Sequence, residues 1–505
     1  LIEKKLNIST NKRGTAMQLK SRLFLLIAIG QTTSTLAPCL AQQPMDMSHD
    51  HQQQQPVEMQ PLTPAYPHMG RAQQHPTTAL FTLEDAQRIA AEANPTLRQA
   101  EAEIRAAKAR QQQARLYPNP TIAYAGDEIR GGSVGGGKQG FFVEQNIVTG
   151  RKLARSSEVY AKEISLSETE AEEQKLRVET AVKTSYIRVL AAQELLDVRQ
   201  GLAQIAQDDA DTRRRLFNSG QADETEVLQS EVDARRARLA ARMQENSLRE
   251  EWRSLAAVLG RPELPFASVS GDLERNWPEV NEDQIMDTIA TQSPAARIAE
   301  TDSQRAEAEI ARAKRESIPD LQLRGGLEYN NELLGSVPYA KGWEGIAEVA
   351  VQVPFFNRNQ GNVAAAGAER DRAQLEKQRV ALTLRERASS VLDQYANDKL
   401  MAVEYRDAIL PPARKAYALM LEKYGQMLAA YPRVIESQRK LFELQAEYIA
   451  ALEGVWTTGI ALRGFLLTDG LEAPARPGEV DRPVRETNVP AADRTLVPAL
   501  AMPHP

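Results

Sequence analysis

Cysteine occurs once in this chain of 505 residues, at Cys39, so an intramolecular disulfide framework is excluded. Histidine is almost as scarce. His49, His51, His68 and His75 fall ahead of residue 80 and His504 lies at the far end, which leaves the long stretch between them with neither histidine nor cysteine. A histidine general base, a cysteine nucleophile and a histidine-held metal are excluded from that stretch. Carboxylate chemistry stays open, but the acids are spread along helix faces, and there is no HExxH, no G-x-S-x-G and no phosphate loop. Gly131-Gly132 and Gly135-Gly136-Gly137 join two strand-like segments instead of opening a helix, so they predict a hairpin loop and not a nucleotide site. Aromatic residues are only 5% of the chain, and a net charge of −6 gives no basis for nucleic-acid binding. Beyond the N-terminal region no segment reaches the roughly 18 consecutive apolar residues of a membrane-spanning helix.

What the chain does contain is a duplication. Asn94-Pro95 opens a charged, Ala-rich stretch that runs to Asn119-Pro120, and Ser293-Pro294 opens another, of the same length, that runs to Ile318-Pro319. Ala100-Glu101 matches Ala299-Glu300, and Ala107 and Ala109 match Ala306 and Ala308. Each copy then passes through a β-like region, Thr121–Val148 or Asp320–Phe356, and into a very long helical stretch. A Gly-Gln pair follows (Gly220-Gln221, Gly425-Gln426), then a return helix. A period of about 200 residues is too long for a solenoid unit and reads as duplication of a half-domain. The expected plan per copy is two helices, two strands, two helices.

Both ends are of different material. Residues 1–16 precede Met17 and are read as upstream sequence. Residues 17–41 have Lys20 and Arg22, an apolar run Leu23–Ile29 and Cys39-Leu40-Ala41, the pattern of a secretory signal cleaved after Ala41. The alternative makes Cys39 a lipidated N-terminus, against which Pro38 speaks. Residues 42–79 form a Gln-, Met-, His- and Pro-rich leader with almost no large aliphatics, and residues 471–505 a Pro-rich tail; both are expected to be disordered. The two repeats occupy 80–270 and 271–470.

The strands bear on the membrane. Leu321–Asn330 alternates apolar and polar residues, Trp343–Val353 does so less cleanly, and Ile122, Tyr124, Phe141 and Val143 carry weaker versions. Period-two alternation over nine to eleven residues between Gly-rich loops is the mark of a transmembrane β-strand, the alternative being a soluble sheet with one wet face. Four strands cannot close a barrel, and open edges do not survive in lipid, so a membrane reading requires strands pooled from several chains. The helical stretch from Leu153 to about Phe217 corresponds to roughly 95 Å at 1.5 Å per residue. Asn362–Tyr424 is similar, with a kink or break expected at Pro411-Pro412. Return helices are expected over Thr225–Leu259 and Val434–Leu467.

Four segments, in order and spacing, and the doubled helix–strand–helix plan itself resemble the TolC-like outer-membrane efflux proteins: LEDAQRIAAEANPTLRQAEAEIRAAKARQQQARLYPNPTI, EQNIVTGRKLA, RLFNSGQADETEVLQSE and EKYGQMLAAYPRVIESQ. The likeness covers roughly Leu80 to Asp469. Its Leu-Glu-Asp-Ala and LYPNPTI wording is closer to the heavy-metal branch of CzcC- and CusC-like channels than to the drug-efflux branch. The resemblance implies a mainly α fold with β: a homotrimeric α-helical barrel continuous with a twelve-stranded membrane β-barrel, four strands per chain. It implies a bacterial outer-membrane location with a long periplasmic portion, no catalysis and no cofactor. The implied partners are a periplasmic adaptor (membrane fusion protein), an inner-membrane RND-type pump and outer-membrane lipid. Gly220, Gln221, Gly425 and Gln426 fall at the family's adaptor-docking tips, where the glycines are expected to close each reversal in the left-handed conformation. Glu226 and Glu436 match positions that line its closed aperture, where a carboxylate ring would favour cations. Two extra residues follow Gly425, Arg433 stands where the second tip usually has an acid, and Asn146 where a proline often precedes the strand exit. Met45, Met47, His49 and His51 suit copper or another thiophilic or borderline metal; the alternative is a plain Met- and Gln-rich leader. Rival readings are a drug, solvent or type I secretion channel of the same family and, from another class, a periplasmic adaptor or coiled-coil scaffold.

Overall fold

The structure, a computed structural model, describes residues 80–127, 137–331 and 342–474. Signal segment, leader and the tail from residue 475, with Cys39, Met45, Met47, His49 and His51, lie outside the described residues, as do Gly131-Gly132 and Gly135-Gly136.

Each repeat begins with a capped pair of helices. In α1 (Leu83–Ala93) the Thr82 hydroxyl accepts the Asp85 N–H at 3.1 Å, and Glu84 and Asp85 put negative charge at the positive end of the helix. Asn94 ends α1 and caps α2 (Pro95–Ala114), its Oδ1 accepting the Thr96 N–H at 2.9 Å. Pro95 then occupies the first helical position, where no N–H is needed. The second repeat repeats the device: after α5 (Glu282–Gln292), Ser293 Oγ accepts the Ala296 N–H at 3.2 Å and Pro294 opens α6 (Pro294–Arg315).

The strands follow: β1 (Thr121–Asp127) and β2 (Gly137–Ile147), later β3 (Leu321–Asn331) and β4 (Gly342–Val351). They form one antiparallel sheet in the order β1-β2-β3-β4, so the central β2–β3 pairing joins the two repeats. From β2 the chain enters α3 (Lys152–Asn218), 67 residues and roughly 100 Å long, and returns in α4 (Glu224–Val258). From β4 it enters α7 (Gln360–Glu404), a single π-helical turn (Tyr405–Ile409), α8 (Leu410–Gly425) and the return helix α9 (Tyr431–Arg463). The π turn explains how the second long helix passes Pro411-Pro412. Those prolines lack N–H donors and their rings crowd the carbonyls one turn back. Widening the turn, with the Leu410 N–H reaching Tyr405 O, absorbs the misfit without ending the helix.

The main core lies where α1, the middle of α3, the ends of α4 and α9, α5 and α7 meet, around Val182, Val189, Leu255, Ile289, Tyr395, Leu452 and Val455. The connector between repeats is fastened into it by side chains. Tyr186 Oη donates to Ser270 O at 2.6 Å, Tyr395 Oη to Pro278 O at 2.8 Å and Trp456 Nε1 to Leu273 O at 2.9 Å. Burying these polar tips is tolerated because each finds a carbonyl.

Candidate functional site: a two-faced sheet and two hairpin tips

Pairing places the alternating residues of all four strands on two chemically distinct faces. On one face Ile122 stands opposite Val143, Tyr124 opposite Phe141, Leu323 opposite Val349 and Tyr329 opposite Trp343. All but the half-buried Leu323 are exposed, Ile122 and Trp343 to more than 70%. Tyr124–Phe141 and Tyr329–Trp343 pack edge to face. An apolar surface this continuous is unfavourable in water, at about 25 cal/mol per Å², and favourable against hydrocarbon. The other face is polar. Lys138 Nζ lies 3.3 Å from Glu344 and 3.9 Å from Glu328, Asn330 Nδ2 donates to Glu344 at 2.7 Å, and Arg324 pairs with Glu348 at 3.7 Å while stacking on Phe142.

The sheet has two edges, β1 and β4, with no strand partner among the described residues. The helices share that order. Along the first half of α3 the packing runs α2–α3–α6–α7, and along its second half α4–α3–α9 with α7 and α8 beyond. Thus β1, α2 and α4 form one flank, and β4, α7 and α8 the other. Both flanks carry unpartnered apolar side chains: Leu228, Val232, Leu239 and Met243 on α4, and Leu375, Leu382, Leu400 and Leu419 on α7 and α8. The α4 residues are spaced four, seven and four apart, which lays them along one seam of the helix.

At the first tip Gly220 takes φ 75°, the Gly220 N–H bonds Phe217 O at 2.9 Å and the Gln221 N–H bonds Leu216 O at 2.8 Å. This is the reversal expected of a left-handed glycine after a helix end. At the second tip the expectation fails. Gly425 is still helical; Met427, at φ 60°, takes the left-handed position, with its N–H on Tyr424 O at 2.9 Å and the Leu428 N–H on Lys423 O at 2.8 Å. The structural counterpart of Gly220-Gln221 is therefore Met427-Leu428, because α8 continues two residues further before reversing. The two extra residues that follow Gly425 were the signal for it, and a glycine two residues away was the stronger one. Both Met427 and Leu428 are exposed, giving this tip an apolar end.

Glu226 and Glu436 also occupy non-equivalent places. Glu226 is in the first turn of α4, and its counterpart in α9 is Arg433. Neither acid stands alone: Glu226, itself exposed, pairs with the half-buried Arg213 at 3.2 Å, and Glu436 with Arg433 at 3.3 Å on exposed surface.

Inside the helical layers, Arg110 Nε binds the buried Glu163 at 2.7 Å between α2 and α3. Two turns along α3, Glu170 is buried and its Oε2 has no hydrogen-bond partner among the described residues. Burial, reinforced by Glu173, Glu103, Glu163 and Asp302, pushes its carboxyl up to about 8. Glu194 is raised to about 7, chiefly by burial and then by Asp272, Glu274 and Asp197. Among the described residues no group of three His, Cys, Asp or Glu side chains is arranged to hold a metal, and no helix is long and apolar enough to cross a membrane.

Residues 87–261 match the sequence profile of the family described as Outer membrane efflux protein. The cobalt-zinc-cadmium resistance protein CzcC of Cupriavidus metallidurans is 24% identical over 374 residues, covering 74% of this chain and 86% of that protein. The nickel-cobalt-cadmium resistance protein NccC of Alcaligenes xylosoxydans xylosoxydans is 24% identical over 282 residues, 54% of this chain and 60% of NccC. Among solved structures, that of CusC, described in terms of transmembrane channel formation, superposes with a TM-score of 0.61 at 17% identity, covering 76% of this chain and 91% of CusC. The outer membrane protein VceC of Vibrio cholerae superposes with a TM-score of 0.59 at 15% identity, covering 77% and 97%. At such identities the superpositions establish a shared fold.

Proposed function

We propose that this chain, which belongs to the outer-membrane efflux protein family, closes with two further copies into a passive export channel. The observation that carries this reading is the coincidence of an exposed apolar sheet face with two unpaired sheet edges. Lipid accepts the face but not the edges, since an unsatisfied N–H or C=O costs several kcal/mol in hydrocarbon. Joining the β4 flank of one copy to the β1 flank of the next removes every edge. That contact is head to tail and closes a ring if the rotation allows. Three copies make a twelve-stranded barrel, and α4 meets α7 and α8 of its neighbour along the apolar seams. No catalytic step is involved; the polar sheet face lines the passage.

The cargo in this reading is a divalent or soft heavy-metal cation, delivered by an inner-membrane RND-type pump through a periplasmic adaptor that meets the hairpin tips. The names of the relatives support it, and so does the polar face of the sheet, where among the described residues Glu144, Glu328, Glu344 and Glu348 outnumber Lys138 and Arg324. Met45, Met47, His49 and His51 would add a weak metal contact at the N-terminal end. Drug, solvent or protein export is the other use of the same conduit.

Mild-detergent extraction of outer membranes followed by native mass measurement tests the assembly: three chains are expected, and a monomer in the soluble periplasm would overturn it. Deleting the gene from its host tests the cargo. Loss of cobalt, zinc, cadmium or copper tolerance is expected with antibiotic tolerance unchanged; the reverse would favour the drug channel. Deleting Met45–His51 should lower copper or silver tolerance slightly and leave the trimer intact.

A further inference from the structure

The duplication contains a joint that a single chain makes only once. Where the first repeat passes from β2 into α3, it lies against the segment by which the second repeat passes from α6 into β3. Thr149 N–H donates to Asp320 Oδ1 at 2.9 Å, Lys152 Nζ binds Asp320 Oδ2 at 2.9 Å, and a Cβ placed on Gly150 would sit 2.9 Å from Ile318 Cβ. Ile147, Val148, Ile318 and Pro319 are half-buried by this contact.

The two hairpins give the correspondence needed to find the missing half. Ile122 pairs with Val143 in the first and Leu321 with Val351 in the second. Tyr124–Phe141 and Leu323–Val349 obey the same correspondence. The residues leading into the long helices agree as well: Arg151 and Asn359, the residues before α3 and α7, share one left-handed conformation, φ 60° and 59°. The second counterpart of the joint must then bring Phe355–Gln360, leaving β4, against Tyr117–Thr121, leading into β1. Within one chain these are the two outer flanks of the structure.

Their exposure is what an unmade joint would show. Phe355 is 71% exposed and Phe356 94%, and Leu116 through Pro120 are exposed throughout, whereas Ile147, Val148, Ser317, Ile318 and Pro319, the internal counterparts of Phe355, Phe356, Pro118, Asn119 and Pro120, are half-buried. The apolar alternation also outruns the pairing. Val351, Val353 and Phe355 continue the outward face of β4 four residues past the end of its ladder with β3.

We propose that the partner of this surface is a second copy of the same chain, joined in one definite register. Ile147, four residues beyond Val143, pairs with Leu321. Phe355, four beyond Val351, therefore pairs with Ile122 of the next copy, and Val353 with its Tyr124. At the helix side, Arg358 takes the place of Gly150 and Asn119 that of Ile318. The charged Lys152–Asp320 lock is replaced between copies by Gln360 and Thr121, a neutral pair. The inference rests on the ring-shaped assembly proposed above and adds to it the register and the residues of the seam.

Paired cysteines test it in the full chain in isolated outer membranes. Directly opposed strand residues have Cβ atoms about 4.5–5.5 Å apart, and a two-residue slip moves them to roughly 7–8 Å, beyond reach of a disulfide. Under copper phenanthroline, Ile122→Cys with Phe355→Cys, and Asn119→Cys with Arg358→Cys, are expected to give covalent dimers and trimers on denaturing gels. The slipped pair Tyr124→Cys with Phe355→Cys should link at least several-fold less, and each single variant not at all. A native trimer in which the slipped pair links best, or in which no pair links, overturns the register while leaving the ring standing. A monomer by native mass overturns both.

Discussion

Lys152, in the first turn of α3, extends its Nζ to within 2.9 Å of Asp320 Oδ2 at the start of the second sheet hairpin, and the other oxygen of that carboxylate holds the Thr149 N–H. One carboxylate thus ties the exit of the first repeat's sheet hairpin to the entry of the second repeat's. Lys152 is buried, so removing either partner leaves a charge in a poorly solvated place. Lys152→Met should destabilise by about 1–3 kcal/mol, less than for a fully buried pair because Asp320 keeps some solvent. Loss of helical circular dichroism on heating detergent-extracted protein should move down by several degrees, and Lys152→Met combined with Asp320→Leu should recover part of the loss.

The two tips should respond differently to the same change. Gly220→Ala forces a Cβ into a left-handed residue at a cost of about 1–2 kcal/mol. Gly425→Ala falls in a helix and should be neutral or stabilising by up to ~1 kcal/mol. Met427→Gly should stabilise, because it relieves the strained position. Hydrogen exchange at the two hairpins reads these changes locally. Equal responses at Gly220 and Gly425 would contradict the reversals described above. Export should fail with a bulky side chain at Gly220 while the trimer still assembles.

At the second tip Glu436 is balanced by Arg433. Glu436→Ala leaves the arginine, so a pore lined at this height should lose cation preference, and Arg433→Ala should gain it. Reversal potentials in planar bilayers at low salt, where screening is weak, check the sign. If both variants keep the wild-type potential, this pair is ordinary helix surface.

Glu170 predicts a pH dependence. Its folded carboxyl is raised from 4.5 to about 8, so between those values the folded state holds a proton that the unfolded chain has released. The sign follows: stability is lost as pH rises through this window. Glu170→Gln removes the dependence. The gap in thermal midpoint between variant and wild type should widen in favour of the variant from about pH 5 to about pH 9, and a constant gap would mean that Glu170 ionises freely.

Much of the local structure was legible because it has local causes. Asn94-Pro95 and Ser293-Pro294 carry both a side-chain acceptor and a ready-made first helical residue, and helices begin there. Alternation along Leu321–Asn330 reads directly as two faces of a strand, since side chains in a strand point to opposite sides in turn. Pro411-Pro412 marked a disturbance, but whether the helix would break or widen depended on what α9 and α7 offered around it. The second tip was misplaced for a related reason. Gly425 is the residue best suited to a left-handed turn, yet the lengths of α8 and α9 set where the hairpin must reverse, and Met427 bears the strain.

By itself the sequence determined that the chain is duplicated, where its helices start, which strand residues are apolar and that histidine and cysteine chemistry is absent from the repeats. These follow from composition, caps and periodicity, which act over a few residues. The tertiary structure decided that β2 pairs with β3 across the repeats, that β1, α2 and α4 share one flank and β4, α7 and α8 the other, and that Glu170 Oε2 is buried with no hydrogen-bond partner among the described residues. Those relationships join residues far apart in the chain, and only the packing of whole helices and the register of the sheet bring them together.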